Sequence, residues 1–432
     1  MENMIPLNGR IAIVDDQIEQ ALPLMRVFAK NNIPYVYYKG TDPDYFPEKT
    51  ENDIRILLLD LNLLGGRDNQ PKDIRSSLYS AIKHIISPDN YPYVLVLWSR
   101  QEKEYKKLLE ELFDKDLKGC APITILEWIK SDFFPNFSDE EVNKDEEYKI
   151  IDELKKVIAE LPGYSYLMQW ENCVHNSADA TIQDIFHDYH SHDNWQNNAN
   201  CILDMFARSY LEQHYNDDIS PDEKARASLE FLNEVYHDTL ESNVAFCDFP
   251  DATDLQYNVS EETQKDIAAK INGCLLLSDQ VESLHQPGCL VRLNINSDGV
   301  EFFHKLLDNS LRSLPNKIKK EDICQNLISC AVVVTPACDY AQKKVINDRI
   351  IEGVIIDSDY EKYVDGSEAI YKSPKFNYES RHRILVLNFR YFITADIESI
   401  NPKPICRLRS TILAEIQSKL ARHINRQGIM NL

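Results

Sequence analysis

The chain has 432 residues, 43% of them hydrophobic, and carries 47 basic against 70 acidic side chains, a formal net charge of -23. Twelve glycines and no repeat of fixed period exclude a linker-rich or solenoid architecture, and the length suits two or three packed domains. The charge argues against nucleic-acid binding, since displacing phosphate counterions needs clustered Lys and Arg, and only the tail from Arg407 to Arg426 is modestly basic.

In chain order, the first strand candidates are RIAIV (10–14), IPYVYY (33–38), IRILLLD (54–60), YVLVLWS (93–99) and ITILEWI (123–129). Between them QIEQALPLMRVFAKNN, IRSSLYSAIKHII and QEKEYKKLLEELFDKDL repeat apolar residues at i, i+3 and i+4, the spacing of amphipathic helices. Strands that read as unbroken apolar runs are buried on both faces, and their alternation with helices predicts a doubly wound five-stranded parallel sheet. The polar stretch YKGTDPDYFPEKTEND, between the second and third strands, has room for a turn of helix. From about 138 to 160 the sequence turns charged, as an exposed helix or linker does. Residues 165–245 read as helical, with YLMQWENCVHNSADATIQDIF and ARASLEFLNEVYHDTL the clearest stretches. Beyond 267, GCLLL, GCLVRLNI, ISCAVVVTP, RIIEGVIID and RILVLNFRYFITADI predict strands, and STILAEIQSKLARHIN a closing helix. The expected domains are an α/β domain over 1–137, a mainly helical segment over 138–265 and an α+β domain over 266–432.

No run approaches the ~18 consecutive apolar residues of a membrane span, and MENMIPLNGR lacks the basic-then-apolar pattern of a signal peptide. The ten cysteines form no CxxC pair and read as reduced, packed side chains in a cytoplasmic protein.

Ligands of doubly wound sheets bind beyond the carboxyl ends of the strands. That edge receives Asp15 and Asp16 from the first strand, Asp60 from the third, Ser99 from the fourth and Lys130 after the fifth. Three converging carboxylates repel one another. A hard divalent cation such as Mg2+ relieves this with oxygen ligands, and the carbonyl of Asn62, two residues past Asp60, is a further candidate. A carboxylate beside such a metal can attack phosphorus, with Lys130 offsetting charge on the transferring group and Ser99 hydrogen-bonding the new phosphoryl oxygens. Each residue also has a plainer reading: Asp15 and Asp16 as caps of the helix starting near Gln17, and Lys130 as a surface lysine.

This constellation resembles the receiver domain of two-component response regulators, over about the first third of the chain. The matching stretches are IAIVDDQ, LLLDLNLLGG, VLVLWSR and ITILEWIKSDF. The resemblance implies Asp60 as phosphoacceptor, Asp15, Asp16, Asp60 and Asn62 around Mg2+, Ser99 as switch hydroxyl and Lys130 as phosphoryl-binding lysine. A histidine kinase and a downstream effector protein are the implied partners, with no membrane and no nucleic acid. The chain departs from the pattern in three places. Asp60 and Ser99 stand 39 residues apart, Ser131 replaces the usual proline, and Trp128 lies one residue closer to the lysine than the usual aromatic. The overall arrangement, with the WEN segment and TPACDYAQ, is similar to atypical receiver proteins of bacterial anti-phage systems. The alternatives are a degenerate receiver serving as an unphosphorylated scaffold and a C-terminal enzyme dependent on Cys338. The kinase, the signal and the oligomeric state are left open.

Three further stretches carry candidate residues. HDYHSHD offers His187, His190 and His192 as metal ligands or as a solvated helix end. TPACDYA places Cys338 and Asp339 between a strand and a helix, for nucleophilic chemistry or for packing and capping, with Cys324 and Cys330 nearby in sequence. WENCVHNSA reads as a buried helix with an aromatic anchor and no chemistry.

Overall fold

The computed structural model describes all residues except 1–4, 6–9, 41–42, 65–69, 100–105, 135–143, 188–193, 213–214, 248–254, 295–296, 313, 315–317, 342–344 and 426–432. The chain divides into two compact units, residues 1–210 with 220–256, and residues 211–219 with 257–432. The expected boundaries at 137 and 265 differ from this division, and both of the first two expected segments contribute to the first unit.

The first unit is built from β1 (Ile11–Asp15), α1 (Ile18–Lys30), β2 (Val36–Lys39), β3 (Ile56–Leu59), α2 (Pro71–Ile85), β4 (Val94–Ser99), α3 (Lys106–Lys115), β5 (Thr124–Ile129), α4 (Lys130–Phe133), α5 (Lys144–Ala159), α6 (Pro162–Phe186), α7 (Trp195–Leu211) and α8 (Pro221–Ala245). Its five strands are all parallel, in the order β2-β1-β3-β4-β5. Successive side chains of a strand point to opposite faces, so the apolar run of β1 feeds two cores. Ile11 and Ile13 join Leu24, Val27 and Phe28 of α1 on one face; Ala12 and Val14 join Ile74, Leu78 and Ile82 of α2 on the other. Between β2 and β3 the described residues hold one short 3-10 turn, Pro43–Tyr45.

The charged stretch at 138–160 is not a linker. Its residues 144–159 form α5, which buries Ile150, Ile151, Leu154 and Ile158 in the same core as α1. The charges occupy the positions between these, as an amphipathic helix requires. α6 is anchored by polar residues at the opposite end of the sheet from the strands' carboxyl ends. Glu171 accepts from Arg10 at 3.0 Å and from Arg55 at 2.9 Å, and both arginines immediately precede strands. Tyr164 donates to the carbonyl of Arg55 at 2.6 Å, and Asn172 to that of Ile5 at 3.0 Å. Trp170, expected as the buried anchor of this helix, is 54% exposed, while Asn172 and Cys173 face inward.

The second unit contains α9 (Glu261–Leu276), β6 (Leu277–Ser278), β7 (Cys289–Leu293), α10 (Ser297–Asp308), α11 (Lys320–Cys324), β8 (Ile328–Val333), α12 (Ala337–Ala341), β9 (Asp348–Asp357), β10 (Ile370–Lys372), β11 (Phe376–Tyr378), β12 (Arg381–Ala395), β13 (Pro402–Leu408) and α13 (Ser410–Ile424). The strands form one antiparallel sheet in the order β10-β12-β9-β8-β7-β13-β6, with β11 on β12. α13 covers one face through Ile412, Leu413, Ile416 and Leu420; α10 covers the other through Phe303, Leu306 and Leu307. The expected strand GCLLL is mostly the end of α9. Ser260 caps that helix by accepting from the N–H of Thr263, and the helix runs on until Leu277 turns extended. An apolar run of five residues does not by itself separate helix from strand. β13 was not among the expected strands; prolines are rare inside a ladder, and this one accommodates Pro402 and Pro404 with a register shift after Pro404.

Candidate acidic site at the edge of the parallel sheet

Asp15 ends β1, Asp60 follows β3 directly, Ser99 ends β4 and Lys130 follows β5. β1 and β3 are adjacent in the sheet, and their following helices go to opposite faces, which opens a crevice between them at this edge. Ser99 sits in register with Ile129, the residue before Lys130. Below them Trp98 packs against Trp128, Phe133 and Phe134, which ties the ends of β4 and β5 together.

Lys130 is not a surface lysine. Its side chain has no solvent exposure, and Nζ lies 2.6 Å from Asp15 Oδ2 and 3.3 Å from Asp60 Oδ2. It also donates to Gln20 Oε1 of α1 at 3.3 Å. Asp15 has a second task, since its Oδ1 accepts from the N–H of Gln17 at 3.0 Å; the turn into α1 and the site share one carboxylate. The main chain of Asp15 is held as well, its carbonyl accepting from the Tyr37 hydroxyl and the Gly40 N–H, each at 3.0 Å. Asn62, two residues past Asp60, donates its backbone N–H to the Asp60 carboxylate.

Burial pushes the carboxyl groups of Asp15, Asp16 and Asp60 above the usual carboxylate range, and their mutual repulsion adds to it. The Lys130 ammonium opposes the shift but is one positive charge against three acids. Tyr37 responds to the same field: burial, then Asp15 and Asp16, push its hydroxyl up to about 12. Ligand oxygens of the three aspartates lie within 4.8 Å of one another. Asp16 Oδ1 is buried without a hydrogen-bond partner among the described residues. Leaving a buried acceptor unsatisfied is costly, so an orphaned carboxylate oxygen in a group of excess negative charge fits a metal cation. The triad can hold a metal ion.

The structure thus brings Asp15, Asp16, Asp60 and Lys130 together at this edge, with Asn62 beside Asp60 and Ser99 at the end of the adjacent strand β4. Sequence reasoning missed Gln20 and Tyr37. Gln20 lies one helical turn beyond Gln17 on α1, and only the fold shows that this turn faces the fifth strand's lysine.

The remaining candidates do not join this site in the described residues. His187 closes α6, while His190 and His192 lie outside the described residues. α12 carries Cys338, whose side chain is likewise outside them; Asp339 pairs with Arg349 at 3.2 Å. Cys330 is fully buried in β8, where its thiol is pushed up by burial, and Cys324 ends α11 half-buried. Among the described residues no helix is long and apolar enough to cross a membrane. Compared with protein-family models, curated proteins and solved structures, the chain matches none of them.

Proposed function

We propose that the first unit is a receiver-like phosphoacceptor, which takes a phosphoryl group on Asp60 from a histidine kinase in the presence of Mg2+. One observation carries the reading: a wholly buried lysine bonded to one aspartate and 3.3 Å from another, at the carboxyl edge of a parallel sheet in the order 2-1-3-4-5. That order is shared by flavodoxin-like doubly wound folds, whose ligands bind at the switch point between β1 and β3.

Asp60 is the acceptor because it combines contact with Lys130 and residual access. Its side chain keeps 7% exposure, whereas those of Asp15 and Lys130 have none. A carboxylate oxygen of Asp60 bonds to phosphorus as the P–N bond of a phosphohistidine breaks, and the departing imidazole keeps the electron pair and takes up a proton. Lys130 offsets negative charge on the transferring group from a fixed, water-free position, so no reorganisation is needed as that charge develops. Asp15, Asp16 and Asp60 would hold Mg2+, with the Asn62 carbonyl as a further ligand. When bound, the cation supplies charge neutralisation and phosphate orientation. Ser99, on the strand beside Lys130, would accept the new phosphoryl group as a hydrogen-bond partner, and the aromatic cluster under it would carry the change inward. Output then passes to an effector protein. The resemblance carried by the WEN and TPACDYAQ segments supports a signalling role in bacterial anti-phage defence.

Acetyl phosphate with Mg2+, followed by intact mass, tests the reading. A hydroxylamine-labile gain of one phosphoryl group, abolished by EDTA and absent in Asp60→Asn, is expected. No gain in the wild type would leave the site as an unphosphorylated scaffold.

A further inference from the structure

The second unit carries a histidine–carboxylate cluster that the acidic edge does not use. Asp348 opens β9 and is 1% exposed. It is in register with Ala395, the last residue of β12, so the turn beginning at Asp396 folds over it. The N–H of Ile397 donates to Asp348 Oδ2 at 3.2 Å, and the Tyr340 hydroxyl of α12 bonds Oδ1. His285, in the segment leading into β7, places Nδ1 2.9 Å from Oδ2. Both oxygens of this buried carboxylate are therefore engaged inside the protein.

The engagement dictates what the other ring nitrogen can do. A neutral imidazole that donates Nδ1–H to a carboxylate presents a lone pair at Nε2. That atom faces two carboxylates, Asp396 Oδ1 at 3.9 Å and Glu398 Oε1 at 3.7 Å. Both separations from Nε2 are too long for hydrogen bonds, and Asp396 Oδ1 also accepts from the N–H of Glu398 at 3.0 Å, which holds that carboxylate at the start of its turn. Metal bonds of about 2.0–2.2 Å place tetrahedral ligand atoms about 3.3–3.6 Å apart, so an inward movement of the exposed side chains closes them on a cation. A histidine whose second nitrogen is held by a carboxylate is also the usual arrangement of a metal-ligating imidazole. Oxygens of Asp348 and Asp396 and a nitrogen of His285 lie within 4.8 Å of one another.

We propose that His285 Nε2, Asp396 and Glu398 bind a divalent transition-metal ion of the zinc class, with Asp348 and Tyr340 as positioning residues that fix the imidazole. The ring nitrogen separates this site chemically from the all-oxygen triad of the first unit, since imidazole suits Zn2+ and its neighbours whereas carboxylates alone suit Mg2+. The proposal stands independently of phosphoryl transfer. It also places a metal beside the TPACDYA segment, through Tyr340.

The test uses the full chain, stripped with EDTA and dialysed against Zn2+ in excess Mg2+, which occupies the acidic edge. Bound zinc is counted by plasma mass spectrometry, and Co2+ in its place reports nitrogen ligation through its visible spectrum. About one zinc per chain is expected, with affinity falling at least about tenfold in both His285→Gln and Glu398→Gln. The cobalt spectrum is expected to change in His285→Gln and to stay the same in Asp16→Asn and Asp60→Asn. The side chains of His285 and Glu398 are 42% and 66% exposed, and circular dichroism checks that both variants keep their fold. Equal retention in wild type and His285→Gln overturns the proposal. So does a wild type that retains none, or zinc lost in Asp16→Asn but kept in His285→Gln.

Discussion

Replacing Lys130 with methionine removes the one positive charge of the acidic edge while keeping most of the buried stem. The ammonium has no solvent exposure and touches Asp15 at 2.6 Å, Asp60 at 3.3 Å and Gln20 at 3.3 Å. Breaking a buried ion pair by removing one partner costs about 3–5 kcal/mol, because the remaining charge has lost its compensation. The near-equal volume of methionine keeps the packing contribution small. At about 2–4 °C per kcal/mol for a unit of this size, the melting temperature falls by about 6–20 °C.

The sign of the pH dependence follows from the shifts. The three carboxyls titrate above their unfolded value, so the folded state binds more protons, and stability falls as pH rises through that interval. Without Lys130 the shift grows. The deficit is therefore larger at pH 8 than at pH 5, which lies nearer the interval where the acids take up protons. All four tryptophans lie in the first unit, so fluorescence-monitored melting in EDTA reports this unit alone. A loss below about 1 kcal/mol at pH 8, or one equal at both pH values, would refute the account of a charge-compensating lysine.

Asp16→Asn removes one repelling charge and is expected to raise stability at pH 8 in EDTA, with a smaller gain at pH 5. Mg2+ at 100 times its Kd should stabilise the wild type by about 2.7 kcal/mol in fluorescence-monitored melting, and the variant far less. In the second unit, Gly353→Ala sets a Cβ 2.4 Å from the Val386 carbonyl and 2.6 Å from Leu387 Cδ2, so the β9–β12 ladder must shift. Urea titration should show a loss of about 1–3 kcal/mol. Gly273→Ala, where nothing lies within 4 Å, should instead gain up to about 1 kcal/mol.

Much of the first unit was legible in the residues alone. The continuous apolar runs ending at Val14, Leu59 and Trp98, short and bounded by polar segments, fit strands buried on both faces. Their alternation with amphipathic helices calls for a parallel sheet, whose carboxyl edge then receives the acids and the lysine. The errors fall where local pattern and tertiary packing compete. A charge-rich segment became core helix α5 because four well-spaced apolar residues suffice to bury one stripe. Trp170 faces out because α6 is held by Glu171 and Asn172 rather than by its largest ring.

The sequence by itself determined which residue types stand at strand ends, and hence the acids and lysine of the first unit. Burial of Lys130, the orphaned oxygen of Asp16 and the Gln20–Lys130 hydrogen bond were decided by which side chains the sheet and α1 bring to that edge, which no local pattern records. The cluster in the second unit belongs wholly to tertiary structure. His285 and Asp348 are 63 residues apart and share no motif. They meet because the β7–β8 and β8–β9 ladders carry the segment before β7 to the start of β9, while the β9–β12 ladder sets Asp396 beside it, and geometry of that range arises only when the sheet forms.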